Sequence, residues 1–169
     1  RDYNQASARV MVNKSLSKIE LNMIQLLPAA KPVKKEKDYP VYLESVMLNR
    51  LMKARLNALS FENPTYQKAS ISLSDFLNVK RVLLSSVELN PREIQEGLTQ
   101  FITQINQIYK YGFFNNEIEK QKKIYLSMMK RKVDSSTPTR SDDLMNEIYA
   151  DFYKGNVLTS NEEEYRLMK

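Results

Sequence analysis

Among its 169 residues the chain has no histidine, no cysteine and no tryptophan, and only three glycines. Without histidine or cysteine, neither a Ser-His or Cys-His nucleophilic pair nor a Cys/His zinc site can be assembled. A disulfide staple is excluded as well, so the fold must rest on its core. The length permits that, because a chain of about 150 residues buries roughly 70% of its extended surface. Carboxylate-only metal binding is the option left, and its candidates are Glu162-Glu163-Glu164 and Asp142-Asp143. Both read more simply as acidic first turns of helices, where negative charge complements the macrodipole. No catalytic, metal or cofactor-binding residue is therefore assigned, and no peptide-contacting residue is named.

A signal-type apolar run is also lacking, as are internal repeats and low-complexity stretches. Arg1 in place of an initiator Met, and Lys169 just inside a helix opened by Ser160, read as the ends of one domain, 1–169, taken from something larger. The net charge is +6, concentrated partly in Lys31-Pro32-Val33-Lys34-Lys35-Glu36-Lys37 and partly in Lys120, Lys122, Lys123, Lys130, Arg131 and Lys132. Nucleic-acid binding would need a stacking platform or a recognition motif beside such charge, and none is present. A charged linker and a solvated helix face account for it.

Along the chain, Arg9 to Asn13 and Lys18 to Leu26 alternate as half-buried strands do, with Ile19, Leu21 and Met23 on one face and Pro28 as the stop. Asp38-Tyr39-Pro40 opens a helix that runs to about Leu59. After a loop at Glu62-Asn63-Pro64, Ala69, Ile71 and Leu73 predict a third strand and Val79 to Leu89 a fourth, interrupted by Ser85-Ser86. Asn90-Pro91 offers a cap and a first helical position for a long helix, whose apolar stripe is Leu98, Phe101, Ile102, Ile105, Ile108 and Tyr109. Gly112 ends it in a left-handed conformation, and Asn115 or Asn116 caps the next helix, Glu117 to Val133. The stripe of that helix is Ile118, Ile124-Tyr125 and Met128-Met129, and Asp134 to Pro138 breaks it. A last full helix spans about Ser141 to Lys154 with Gly155 past its end. Its stripe, Leu144-Met145, Ile148-Tyr149 and Phe152-Tyr153, has the spacing of an ordinary buried face and predicts core packing. The sum is an α+β fold, a mainly antiparallel sheet of about four or more strands with several helices on one side.

The helical hairpin carries more specific wording. Gly112 followed by Glu117-Ile118 and Lys122, directly after a helix ending in Tyr111, resembles the non-catalytic domains of the insulinase/pitrilysin family of zinc metallopeptidases. Upstream, Leu48-Asn49-Arg50-Leu51-Met52-Lys53-Ala54-Arg55-Leu56 is similar to the family helix that follows the first strands. Downstream, Thr139-Arg140-Ser141, Tyr149 to Gly155 and Ser160-Asn161-Glu162-Glu163-Glu164-Tyr165 resemble its closing helices. The likeness runs over about residues 10–169, by order and spacing of elements. One departure is Phe114, which stands where relatives commonly have Ser or Thr two residues after the hairpin Gly.

The resemblance implies paired α+β domains around a peptide-sized chamber, one bearing zinc and one lacking it. Catalytic members hold zinc with His-x-x-Glu-His and a distant Glu. This chain has no histidine, so the resemblance implies a catalytically silent domain that encloses and positions peptide for a zinc-bearing domain of the same chain or of a partner subunit. It implies zinc in that other domain, none in this one, and a bacterial periplasmic or envelope location. The alternative is a non-enzymatic interaction or assembly subunit on the same fold, since some members of the family lack zinc ligands altogether.

Overall fold

The computed structural model describes residues 6–13, 15, 18–135 and 141–169. Strand β1 (Ile19–Pro28) leads through a 3-10 turn (Glu36–Asp38) to helix α1 (Tyr39–Ser60). Strands β2 (Tyr66–Phe76) and β3 (Lys80–Leu89) follow, and then helices α2 (Ile94–Tyr111), α3 (Asn115–Asp134), α4 (Ser141–Lys154) and α5 (Asn161–Leu167). The fold is α+β, as the sequence predicts. Among the described residues the sheet has three strands, antiparallel throughout, in the order β1-β3-β2.

Strand β3 takes the centre, hydrogen-bonded to β1 along one edge and to β2 along the other. Val87 stands between Leu21 and Ala69 in the ladder and is 0% exposed. Period-two alternation then places Leu21, Met23, Ala69, Ile71, Leu83, Val87 and Leu89 on the face that receives the helices. Tyr66, Val87, Leu89 and Phe101 form one buried cluster, and Met52, Leu56 and Ile71 form another. Ala69 and Ile105 pack against both, so α1 and α2 share a continuous core over the sheet. Burial of a side chain such as Phe101 stabilises by about 1.5–3 kcal/mol. Gly97 lets α2 approach closely, since a Cβ there would lie 3.1 Å from both Leu89 Cδ2 and Thr65 O.

Several expectations are corrected. Arg9 to Asn13 form no strand, and Val10, Met11 and Val12 stand exposed with no neighbouring strand to pair them. Ser85-Ser86 do not interrupt β3, because both keep their ladder positions opposite Met23 and Asn22. Helix α2 begins at Ile94 rather than at Pro91: Asn90 Oδ1 accepts from Arg92 N at 3.2 Å and its Nδ2 donates to Glu93, so Asn90 builds a turn ahead of the helix. Tyr109 belongs to no buried stripe and is 92% exposed. Gly112 does take positive φ, 67°, but with ψ −140°. Phe114, not an Asn, is the cap position of α3. Its N–H donates to the Glu117 carboxylate at 2.8 Å, while Asn116 Oδ1 accepts from Glu117 N at 2.8 Å. Asn116 Oδ1 thus takes the place of the missing cap hydroxyl, as the sequence predicts for an Asn here, while the Glu117 carboxylate supplies the other half of the capping pair. The expected break after α3 falls largely on 136–140, outside the described residues, as do Thr139 and Arg140.

The last helix gives the largest correction. Helix α4 has the predicted bounds, yet none of its residues is buried. Apart from the half-buried Ile148, its stripe faces solvent, with Phe152 81% exposed and Tyr149 stacked on Tyr153 at a centroid distance of 6.2 Å. Ser160 caps α5 as expected, its Oγ accepting from Glu163 N at 3.2 Å.

Candidate functional site

The helices cover one face of the sheet, and the same alternation that fills the core leaves the opposite face uncovered among the described residues. Glu20, Asn22, Ile24 and Leu26 of β1, Val82, Leu84, Ser86 and Glu88 of β3, and Lys68, Ser70, Ser72 and Ser74 of β2 point there. Antiparallel sheets tolerate such a wet face where parallel ones do not. This face has two halves. Toward the start of β1, Lys18 Nζ donates to Glu88 Oε2 at 3.0 Å, Asn22 Nδ2 donates to Glu20 Oε1 at 3.0 Å, and Ser86 Oγ donates to Asn22 Oδ1. A shallow, solvent-open concavity of about 200 Å³ lies over Lys18, Glu20, Lys68, Ser70, Ser86 and Glu88. Toward the β2–β3 turn the face becomes apolar, through Ile24, Leu84, Leu26 and Val82.

Both outer strands also present a free edge among the described residues, since β3 alone has a neighbour on each side. A polar ladder, an apolar platform and two edges can hold an extended peptide by main-chain hydrogen bonds and alternate side-chain contacts. The serines Ser70, Ser72 and Ser74, alternating with Ala69, Ile71 and Leu73, are the sequence signal of this open face. That signal was legible as a strand but not as a site.

A second polar group lies where α1, α3 and α5 meet. Tyr39 is buried with its hydroxyl unpartnered, and the Arg50 guanidinium stands 4.9 Å over the Tyr125 ring. Burial pushes the Tyr42 hydroxyl up to about 12 and raises Tyr39 and Tyr125 as well. Glu164 is raised first by burial, against Lys132, and further by Asp151 and Glu147. These shifts follow from packing among helices. The acidic runs sit where the sequence places them, Asp142 and Asp143 in the first turn of α4 and Glu162 to Glu164 in that of α5. Among the described residues no three metal-ligating side chains come together. No helix of the described chain is long and apolar enough to cross a membrane.

No family model and no curated protein matches the sequence. Solved structures match the fold. The periplasmic protease PqqL from Escherichia coli superposes with a TM-score of 0.81 at 20% identity, over 92% of this chain and 17% of that one. A predicted insulinase family protease from Yersinia pestis gives 0.74 at 12% identity, over 92% of this chain and 34% of that one. The ferredoxin protease FusC, solved in complex with Arabidopsis ferredoxin, gives 0.66 at 11% identity, over 88% and 17%. The chain thus has the fold of an insulinase-type peptidase domain and spans between 17% and 34% of the length of each of these proteins.

Proposed function

We propose that this chain is a catalytically silent domain of a zinc-dependent peptidase, which encloses peptide and positions it for hydrolysis in a separate zinc-bearing domain. The observation that carries the reading is the uncovered sheet face, with its polar concavity, apolar platform and free edges, in a domain of insulinase-type fold. Zinc does not fit the residues of this chain, which offers neither histidine nor cysteine and, among the described residues, no triad of carboxylates. The metal and the water-activating carboxylate are therefore assigned to another domain, of the same polypeptide or of a partner subunit.

The role left to this domain is confinement. Holding a peptide bond in place converts binding energy into rate, and correct placement contributes several kcal/mol in well-oriented reactions. A periplasmic location accompanies the reading, because one of the matched proteins is a periplasmic protease. The test is deletion of this domain from the parent protein with zinc content measured in parallel. The reading expects cleavage of unstructured peptides to be lost or sharply reduced at full zinc occupancy. Cleavage at the undiminished rate in a folded, zinc-loaded truncation would leave the assembly-subunit alternative in its place.

A further inference from the structure

No residue of α4 or α5 is buried, so neither helix contributes to the core that joins α1 and α2 to the sheet. Helix α5 lies on α3. The bonds that fasten it and its leading turn to the body of the domain are polar. Val157 N donates to Val33 O at 2.9 Å, Val33 N donates to Asn156 Oδ1 at 3.0 Å, and Arg166 Nη2 donates to Glu36. Local opening is drawn from segments with this character, which bury little and hold by exposed polar bonds.

Glu164 stands half-buried in α5 at the centre of this attachment. It is within electrostatic reach of Lys132 and Tyr125 on α3, of Glu147 and Asp151 on α4, and of Tyr39 and Tyr42 on α1. Lys132 Nζ lies 3.8 Å from Glu147 Oε1, so among the described residues three carboxylates on two helices draw on one ammonium. The other groups nearby are otherwise engaged. The Arg50 guanidinium sits over the Tyr125 ring, Arg166 Nε donates to Glu163 Oε2 at 2.9 Å, and Thr159 Oγ1 reaches Glu164 Oε1 only at 3.5 Å. The Tyr39 hydroxyl is buried without a partner.

We propose that α5 is a proton-dependent clasp, shut on α1 and α3 while Glu164 is protonated and loosened when Glu164 ionises. An ionised Glu164 adds a third negative charge around Lys132 and gives up water as it docks, whereas a neutral one does neither and can also donate a hydrogen bond. Burial first, and then Asp151 and Glu147, raise the Glu164 carboxyl against Lys132. A raised pKa means that the closed form binds the proton more tightly than the open one. Closure is therefore favoured in acid and weakened as pH rises through the raised value. The opening constant changes tenfold for each unit by which the two forms differ in pKa. This inference does not depend on the peptidase reading.

The test is amide hydrogen exchange of the 169-residue chain by NMR, from about pH 5 to about pH 8, each rate divided by its intrinsic value to give an opening constant. Val157 and Glu164 to Met168 should open more readily than Leu51 and Phe101, so that the clasp moves while the core stays closed, and their opening should rise with pH and then level off. Glu164→Gln keeps the size of the side chain without its charge and should abolish the rise. Glu147→Gln frees Lys132 for Glu164 and should shrink the rise, which keeps the test decisive should the first variant misfold. The proposal is overturned by α5 amides that open only with the core, by an opening constant that is flat with pH, or by a rise in either variant as large as in wild type.

Discussion

Arg55 of α1 and Glu117 of α3 are joined at two points: Arg55 Nε donates to Glu117 Oε1 at 2.9 Å and Nη2 donates to Oε2. Arg55 Nη1 also donates to Gly112 O at 2.9 Å, and its guanidinium lies 4.6 Å from the Phe113 ring centroid. One side chain therefore ties α1 to the end of α2 and the start of α3, and Glu117 passes the link to the α3 cap through Phe114 N. Replacing Arg55 with Leu leaves a half-buried carboxylate without its cation and should destabilise the chain by about 2–4 kcal/mol. Urea denaturation with a matched Glu117→Gln variant checks it.

The same pair predicts a pH dependence. The hydrogen bonds from Arg55 hold the Glu117 carboxyl below its usual range, aided by Phe114 N–H and opposed by burial. A depressed pKa contributes stability that is present above the ordinary carboxylate pKa and lost as pH falls through the depressed value. The stability gap between wild type and Glu117→Gln should therefore be full at pH 7 and close progressively in acid. A gap that is flat with pH would contradict this.

Gly112 combines φ 67° with ψ −140°, and a Cβ there would meet nothing within 4 Å. The cost of any side chain is thus purely conformational. Gly112→Val should cost about 1–3 kcal/mol, and Gly112→Ala nearly as much. Midpoints of chemical denaturation for both variants measure it; an unchanged midpoint would mean that the helix terminates in some other way.

What the sequence makes legible follows from which signals are local. The bounds of α1, β3 and α4 lie close to those that periodicity, Pro40 and Gly155 give, and Ser160 marks the start of α5. The cap of α3 is legible in part: Asn116 accepts from Glu117 N as a local acceptor can, while the Glu117 carboxylate that accepts from Phe114 N is also held by Arg55, sixty-two positions away in sequence. The α4 stripe has the period of a core face, and period cannot tell a face that meets the core from one left open. The apolar Arg9–Asn13 likewise alternates as a strand does but finds no strand to pair with among the described residues. As for the candidate site, Ser70, Ser72 and Ser74 announce a wet face, while its division into polar and apolar halves depends on the register of β1 and β2 against β3.

The β2–β3 turn holds Leu77 at φ 50° and Asn78 at φ 55°, closed by Val79 N donating to Phe76 O at 3.1 Å. Asparagine tolerates this region and leucine does not, so Leu77→Gly should raise stability by up to about 1 kcal/mol. Thermal denaturation checks the sign, and a lowered Tm would show that the exposed Leu77 side chain contributes more than its strain costs.

Glu164 predicts the opposite pH behaviour from Glu117. Burial, with Asp151 and Glu147, raises its carboxyl against the pull of Lys132. A raised pKa gives stability that is present below the ordinary carboxylate value and lost as pH rises through the raised one. Glu164→Gln should accordingly be more stable than wild type at pH 7, with the gain fading as pH falls. Denaturation midpoints of the two proteins over that range decide it.

The proposed holding of peptide on the open sheet face, without cleavage, is tested most directly by NMR titration of the labelled chain with an unstructured peptide, followed by mass spectrometry of the peptide. Amide shifts should be confined to β1, β2 and β3, centred on Glu20, Asn22, Ile24, Ser70 and Leu84, with the peptide recovered intact. Absence of shifts on the sheet at millimolar peptide, or recovery of cleaved peptide from the pure chain, would contradict it.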